Sequence, residues 1–136
     1  WIVDEMQAAY IALHQHGFAH SIEVWQDQQL EHGETASELV GGLYGVAING
    51  FFSGESMFYT KSNASKVALF ILNQLLKSQG IKFIDCQIEN PFLNAMGCIE
   101  ISRKKFNAMK DNAISTKVSP QLWQTRNVTV AELINI

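Results

Sequence analysis

Apolar positions at the start of the chain recur with the spacing of one helix face. Met6, Ala9, Tyr10 and Leu13 predict a helix over 3–16, with Asp4 and Glu5 in the first turn, where acids suit the helix dipole, and Gly17 placed to end it. From His20 to Trp25 the pattern changes to alternation, which predicts a half-buried strand. Residues 31–38 are polar and acidic and predict an exposed loop. Residues 39–48 predict a second strand, whose glycines 41, 42 and 45 imply a bulge or a close backbone approach. Asn49-Gly50 is a tight-turn signal, so residues 51–53 should return as a third, antiparallel strand. The clearest helix is 63–79, capped by Ser62 or Asn63 and ended by Gly80, with Ala64, Val67, Ala68, Ile71, Leu72, Leu75 and Leu76 on one broad apolar face. Beyond it the pattern predicts a buried strand over 82–88, a short helix over 92–96, a strand over 99–102, a helix over 104–109 and an irregular tail around Ser119-Pro120 with a short final segment. This order predicts a mixed α/β fold. The meander should pair antiparallel, and the strand–helix–strand crossover should pair parallel.

At 136 residues, 47% hydrophobic and 17% charged, the chain suffices for one domain with one core. With only two prolines and no low-complexity run, it does not read as disordered. Its apolar runs are too short to cross a membrane as a helix, and no basic-then-apolar segment opens it. It begins with Trp1 rather than Met, which suggests a piece of something longer. The net charge of −3 hides a polarity. Residues 1–60 hold eight acids and no Lys or Arg (−8), whereas residues 61–136 hold ten bases and five acids (+5). Such a field can hold a cationic group on one side and a polyanion on the other, although a solvated surface explains it as well. Cys86 and Cys98 form neither a CxxC pair nor a disulfide framework, so reduced thiols in a cytosolic protein are expected.

Segment 82–88 carries the most suggestive chemistry. Strand alternation predicts Phe83, Asp85 and Gln87 on one face, and Ile84, Cys86 and Ile88 on the other. A carboxylate and a carboxamide within an apolar strand are costly unless paired. They read either as a structural pair binding backbone or as a cleft-lining acid with an amide partner. Glu55, alone among glycine and aromatics, is a turn acid or a site for a cationic ligand. Arg103, Lys104 and Lys105 are a solvated helix face or a phosphate-binding cluster. The histidines have no metal-ligand spacing, and no GxSxG, P-loop or GxGxxG motif occurs. The loop 59–63, ahead of the long helix, has no glycine. It lacks the pyrophosphate-binding loop of acyltransferases of the GNAT type, whose layout the predicted elements otherwise share.

Read together, HSIEVW (20–25), GGLYGV (41–46), GESMF (54–58), ASK (64–66), IDCQ (84–87), Gly97, EISR (100–103) and Phe106 closely resemble the bacterial leucyl/phenylalanyl-tRNA–protein transferases over residues 1 to about 110. The resemblance implies a GNAT-like acyltransferase fold, a mixed sheet flanked by helices, forming one catalytic domain over 1–136, with the family's smaller N-terminal domain absent. It implies transfer of Leu, Phe or Met from aminoacyl-tRNA to proteins beginning with Arg or Lys, an N-end-rule degradation signal, in the cytoplasm. The aminoacyl ester is already activated, so no metal or cofactor is expected.

By resemblance, Asp85 and Gln87 are the catalytic pair, with a relay in which Asp85 polarises Gln87 as one form it can take. Asn90 positions the ester, and Glu55 holds the acceptor's cationic end. Phe52, Leu43, Met57 and Ile84 form the side-chain pocket, although alternation sets Ile84 opposite Asp85. Trp1 stacks on the terminal adenine, and Arg103, Lys104 and Lys105 contact the acceptor stem. Three features depart from the family: an apparent insertion at 31–38, Phe92 where the family commonly has His, and a tail that matches poorly. Two other readings remain open: a GNAT-like enzyme using another acyl donor, and an inactive truncated remnant.

Overall fold

The computed structural model describes residues 2–134. It is a mixed α/β fold in which α1 (Asp4–Gln15) leads into an antiparallel meander of β1 (Ala19–Gln29), β2 (Thr35–Ile48) and β3 (Phe51–Tyr59), in the order β1-β2-β3. Helix α2 (Ala64–Ser78) packs on the sheet, followed by α3 (Pro91–Ala95), α4 (Arg103–Ser115) and α5 (Val130–Ile134).

The helix ends follow from local chemistry. Gly17 at φ 82° closes α1, as its N–H and that of Phe18 reach back to His14 and Leu13 at 2.9 and 2.8 Å. Gly80 at φ 75° closes α2 in the same way, with Ile81 donating to Leu76. The expected side-chain cap of α2 is absent: Asn63 occupies the cap position in the left-handed region, with no cap hydrogen bond. Helix α4 begins at Ser102, whose Oγ accepts from Lys105 N at 3.2 Å, and runs six residues past the predicted end at 109.

The strands outrun their predicted bounds. Residues 31–38 do not form a loop throughout: Glu31–Gly33 is a 3₁₀ turn, and Thr35 to Glu38 pair with Gln26 to Gln29. The apparent insertion therefore extends one hairpin into an exposed, acidic arm away from the core. β3 continues through Tyr59 because Gly54 and Ser56 to Tyr59 keep pairing with β2.

The predicted strands at 82–88 and 99–102 do not form. Among the described residues, a single parallel bridge, Ser53 to Asp85, is what remains of the expected parallel pairing. The segment breaks at Gln87, where φ is 63° and Ile88 N–H donates to the Cys86 carbonyl at 2.7 Å. This is a γ-turn in its rarer positive-φ form, and it cannot continue a strand.

The core lies between sheet and α2. Ala68, Leu72 and Leu76, four residues apart, bury one helix stripe against Leu43, Ala47 and Phe52, with Leu122 of the tail closing it. The interior glycines serve both expected purposes. A Cβ on Gly41 would stand 2.5 Å from the Ala64 Cβ, so the glycine lets α2 approach β2. One on Gly45 would stand 2.3 Å from the Ser53 carbonyl oxygen, at the bulge in the β2–β3 ladder.

Candidate active site

A cavity of about 250 Å³ opens between β2, β3, α2 and residues 84–93. Its walls are largely apolar: Leu43, Phe52, Met57, Leu69, Leu72, Ile84 and Leu93, with Tyr44, Glu55, Gln87 and Asn90 supplying polar groups. A larger open groove, about 1020 Å³, runs between α2, residues 81–89 and α4.

Two backbone irregularities build the smaller cavity. In the β2–β3 ladder Tyr44 pairs with Ser56 and Gly45 with Gly54, which leaves Glu55 as the extra residue of a bulge. Phe52 and Met57 are five apart, so plain alternation would send them to opposite faces. The extra residue restores both to the cavity and aims Glu55 at its rim. The γ-turn does the same for Gln87. It joins Ile84 and Cys86 in lining the cavity, whereas Asp85 does not line it. The predicted shared face of Phe83, Asp85 and Gln87 is thereby corrected, and the conflict over Ile84 disappears.

A chain of hydrogen bonds connects the polar groups. Asp85 Oδ1 accepts from Gln87 N and Oδ2 from Ser53 Oγ, both at 3.0 Å. The Gln87 Nε2 donors face Ser53 Oγ at 3.2 Å, the Gly54 carbonyl at 2.8 Å and Glu55 Oε1 at 3.2 Å. Tyr10 OH donates to Glu55 Oε2 at 2.7 Å. Asp85 is further pinned to β3 because its N–H donates to Phe52 O and its carbonyl accepts from Gly54 N. Asp85 thus touches the Gln87 backbone directly but its carboxamide only through Ser53.

The Glu55 hydrogen bond, with burial and the carboxylate charge adding to it, pushes the Tyr10 hydroxyl up to about 12. Tyr44, edge-on to Tyr10 at 5.1 Å, is raised by burial and then by Glu55. Burial, then the charge of Cys98 and a hydrogen bond with it, pushes the Cys86 thiol up to about 11, so this cavity cysteine stays protonated near neutrality. Among the described residues, no three His, Cys, Asp or Glu side chains are grouped as metal ligands.

Of the residues singled out from sequence, Leu43, Phe52, Glu55, Met57, Ile84, Gln87 and Asn90 line the cavity. Asn90 also caps α3, where its Oδ1 accepts from Leu93 N at 2.8 Å. Arg103, Lys104 and Lys105 are exposed in the first turn of α4, with the Arg103 guanidinium 5.4 Å from the Phe106 ring centre. Trp1 lies outside the described residues. Sequence reasoning missed Ser53 and the role of Tyr10, which it counted as part of an apolar face. A tyrosine hydroxyl on such a face needs a partner, and that was the available signal.

An apolar chamber next to a carboxylate and an oriented carboxamide defines an α/β domain with an enzyme cleft, able to hold an apolar group against polar reacting groups. Residues 1–111 match the family described as leucyl/phenylalanyl-tRNA protein transferase, and the chain belongs to that family of aminoacyl-tRNA–protein transferases. It is 58% identical over 130 residues to the leucyl/phenylalanyl-tRNA–protein transferase of Colwellia psychrerythraea, covering 96% of this chain and 52% of that protein. The proteins of that name from Pseudoalteromonas atlantica and Shewanella piezotolerans are 47% and 45% identical, over 95% and 96% of this chain and 51% of each relative. The chain spans about half the length of the curated relatives it matches.

Proposed function

We propose that this chain is the GNAT-like catalytic domain of a cytoplasmic enzyme. The enzyme moves Leu, Phe or Met from aminoacyl-tRNA to the α-amine of proteins that begin with Arg or Lys, marking them for N-end-rule degradation. The observation that carries this reading is the meeting of the small apolar cavity with the Gln87–Glu55 pair, 3.2 Å apart at its rim.

The aminoacyl side chain enters the cavity between Phe52, Leu43, Met57 and Ile84, where burial of apolar surface favours Leu and Phe over polar side chains. The acceptor amine, with an unperturbed pKa of about 8, is substantially protonated at neutral pH and must lose a proton to attack. Its nitrogen forms a bond to the ester carbonyl carbon as the bond to the ribose oxygen breaks. The ammonium gives up one proton to solvent before attack, and the proton that the attacking nitrogen then sheds ends on the released ribose hydroxyl. Gln87 orients the amine, Glu55 attracts the acceptor's cationic end, and Asn90 directs its free amide group at the ester. Trp1 retains its sequence-based assignment to the terminal adenine.

Arg103, Lys104 and Lys105 face the acceptor stem. Cations in the first turn of a helix oppose its dipole, so their presence there favours a phosphate-binding purpose over a stabilising one. The polarised charge of the two halves fits a cationic acceptor on one side and a nucleic acid on the other.

The test is transfer of radiolabelled Leu from Leu-tRNA to a peptide with N-terminal Arg, in this chain and in one extended upstream of Trp1. Labelled peptide in either supports the reading. Label only in the extended protein assigns part of the site to the preceding residues. No label in either points to an inactive remnant.

A further inference from the structure

We propose that Ser53 is a positioning residue that, together with the Gly54 carbonyl and the Glu55 carboxylate, locks the nitrogen end of the Gln87 carboxamide so that its oxygen faces the substrate, with Asp85 acting through Ser53. This role deepens the proposed transfer function and rests on it.

Ser53 has a single hydroxyl proton. A carboxylate has only lone pairs to offer, so Asp85 Oδ2 takes that proton at 3.0 Å. The Ser53 oxygen is then left only with lone pairs toward Gln87, 3.2 Å away, and can face only an N–H. The Gly54 carbonyl and the Glu55 carboxylate are also acceptors without protons, at 2.8 and 3.2 Å. Three acceptors thus converge on the nitrogen end of the amide. Its oxygen has no protein partner among the described residues and is the end offered to an amine N–H at the cavity.

The backbone enforces the arrangement. Ser53 and Asp85 are the two residues of the parallel bridge, so their side chains start from registered positions. Gln87 is held in its positive-φ γ-turn, in part by the second oxygen of Asp85 on its own N–H. One carboxylate therefore sets both the backbone of Gln87 and, by way of a hydroxyl, the orientation of its side chain.

The arrangement gives Asp85→Asn a specific consequence. The Gln87 N–H still requires an oxygen, so the new amide presents its NH₂ to Ser53. The Ser53 proton is then released toward the Gln87 nitrogen, where it opposes the N–H donor and loosens an amide still held by the Gly54 carbonyl and Glu55. Removing the hydroxyl as well removes that opposition.

The experiment compares Ser53→Ala, Ser53→Thr, Asp85→Asn and the double variant Asp85→Asn/Ser53→Ala by two readouts. One is the side-chain amide ¹⁵N–¹H signal of Gln87, assigned by its loss in Gln87→Glu, which needs no activity. The other is kcat and KM for Leu-tRNA, in the shortest version of the protein that transfers.

In the wild type the Gln87 amide protons should exchange slowly. Ser53→Ala should accelerate exchange and lower kcat about tenfold or more with KM little changed, the size expected for losing one hydrogen bond linked to a charge. Ser53→Thr should restore both. The double variant should be no slower than Asp85→Asn. An unchanged Gln87 signal in Ser53→Ala, a kcat within twofold of wild type, or multiplied losses in the double variant would each overturn the proposal. Absence of transfer by the wild type defeats the functional reading instead, and the amide signal still decides the role of Ser53.

Discussion

Tyr10 and Glu55 are separated by 45 positions in the chain, yet the tyrosine hydroxyl donates to the carboxylate at 2.7 Å. This bond ties α1 to the bulge of β3 and occupies one Glu55 oxygen, while the other faces Gln87 at 3.2 Å. Deprotonating Tyr10 would break this bond and set two negative charges together, which is why its hydroxyl is pushed up to about 12. Of the three tyrosines, Tyr10 should therefore ionise well above the ordinary value in a tyrosinate-absorbance titration. The raised folded value means that its contribution to stability is complete below about pH 10 and is lost as pH rises through about 12. Glu55→Gln should return the late titration toward the ordinary range.

Phe52 is 1% exposed, belongs to the core and forms a wall of the cavity. Phe52→Ala should destabilise the domain by about 3–5 kcal/mol, read from the urea midpoint, because core truncation loses burial and leaves a void. An unchanged midpoint would mean that α2 does not depend on this ring.

Gly45→Ala should cost about 1–3 kcal/mol through overpacking, since the added Cβ would meet the Ser53 carbonyl at 2.3 Å and the Phe52 ring at 2.5 Å. Gly33→Asn is the control. Its site has a positive φ and open space, and asparagine tolerates that backbone region, so the midpoint should barely move.

His20 stacks on Trp123 at 4.3 Å between ring centres, nearly parallel, and its Nε2 donates to the Gly17 carbonyl at 3.0 Å. Burial lowers its pKa, with the Gly17 bond opposing and the neighbouring His14 adding to the fall. A depressed folded value contributes stability above the ordinary pKa of about 6.5, lost as pH falls through the lower value. Urea stability, followed by tryptophan fluorescence, should thus decline on acidification from neutrality, and less steeply in His20→Gln.

Arg103, Lys104 and Lys105 lie in the first turn of α4, where no acid offsets them. Replacing all three with Ala should weaken tRNA binding and flatten its dependence on salt, by about 0.7–0.9 in log–log slope for each phosphate no longer neutralised. Thermal stability should hold or rise, because cations oppose the dipole at that end. A filter-binding series in salt beside a melting curve separates the two effects.

Much of this was legible in the linear pattern. The periodicity of Ala68, Leu72 and Leu76 located α2, Asn49-Gly50 the hairpin, and the glycines at 17 and 80 the helix ends, because each signal acts within a few residues. The motifs carried family membership, and the resemblance resting on them named seven residues that line one cavity. Failures came where distant geometry governs. Residues 82–88 alternate like a strand, but their backbone bridges β3 at Asp85 and turns away at Gln87. Polarity marked 31–38 as a loop, yet pairing with β1 held 35–38 in β2, since an exposed hairpin arm needs no apolar face.

The sequence by itself determined the family, the main helix, the meander and the residue types available for chemistry, because these depend on identity and spacing. Tertiary structure alone decided which atoms meet. The bulge turned Glu55 to the cavity rim, the γ-turn brought Gln87 there without Asp85, and Ser53 came between the acid and the amide. Alternation is a rule for regular strands, and the site is built where two strands cease to be regular.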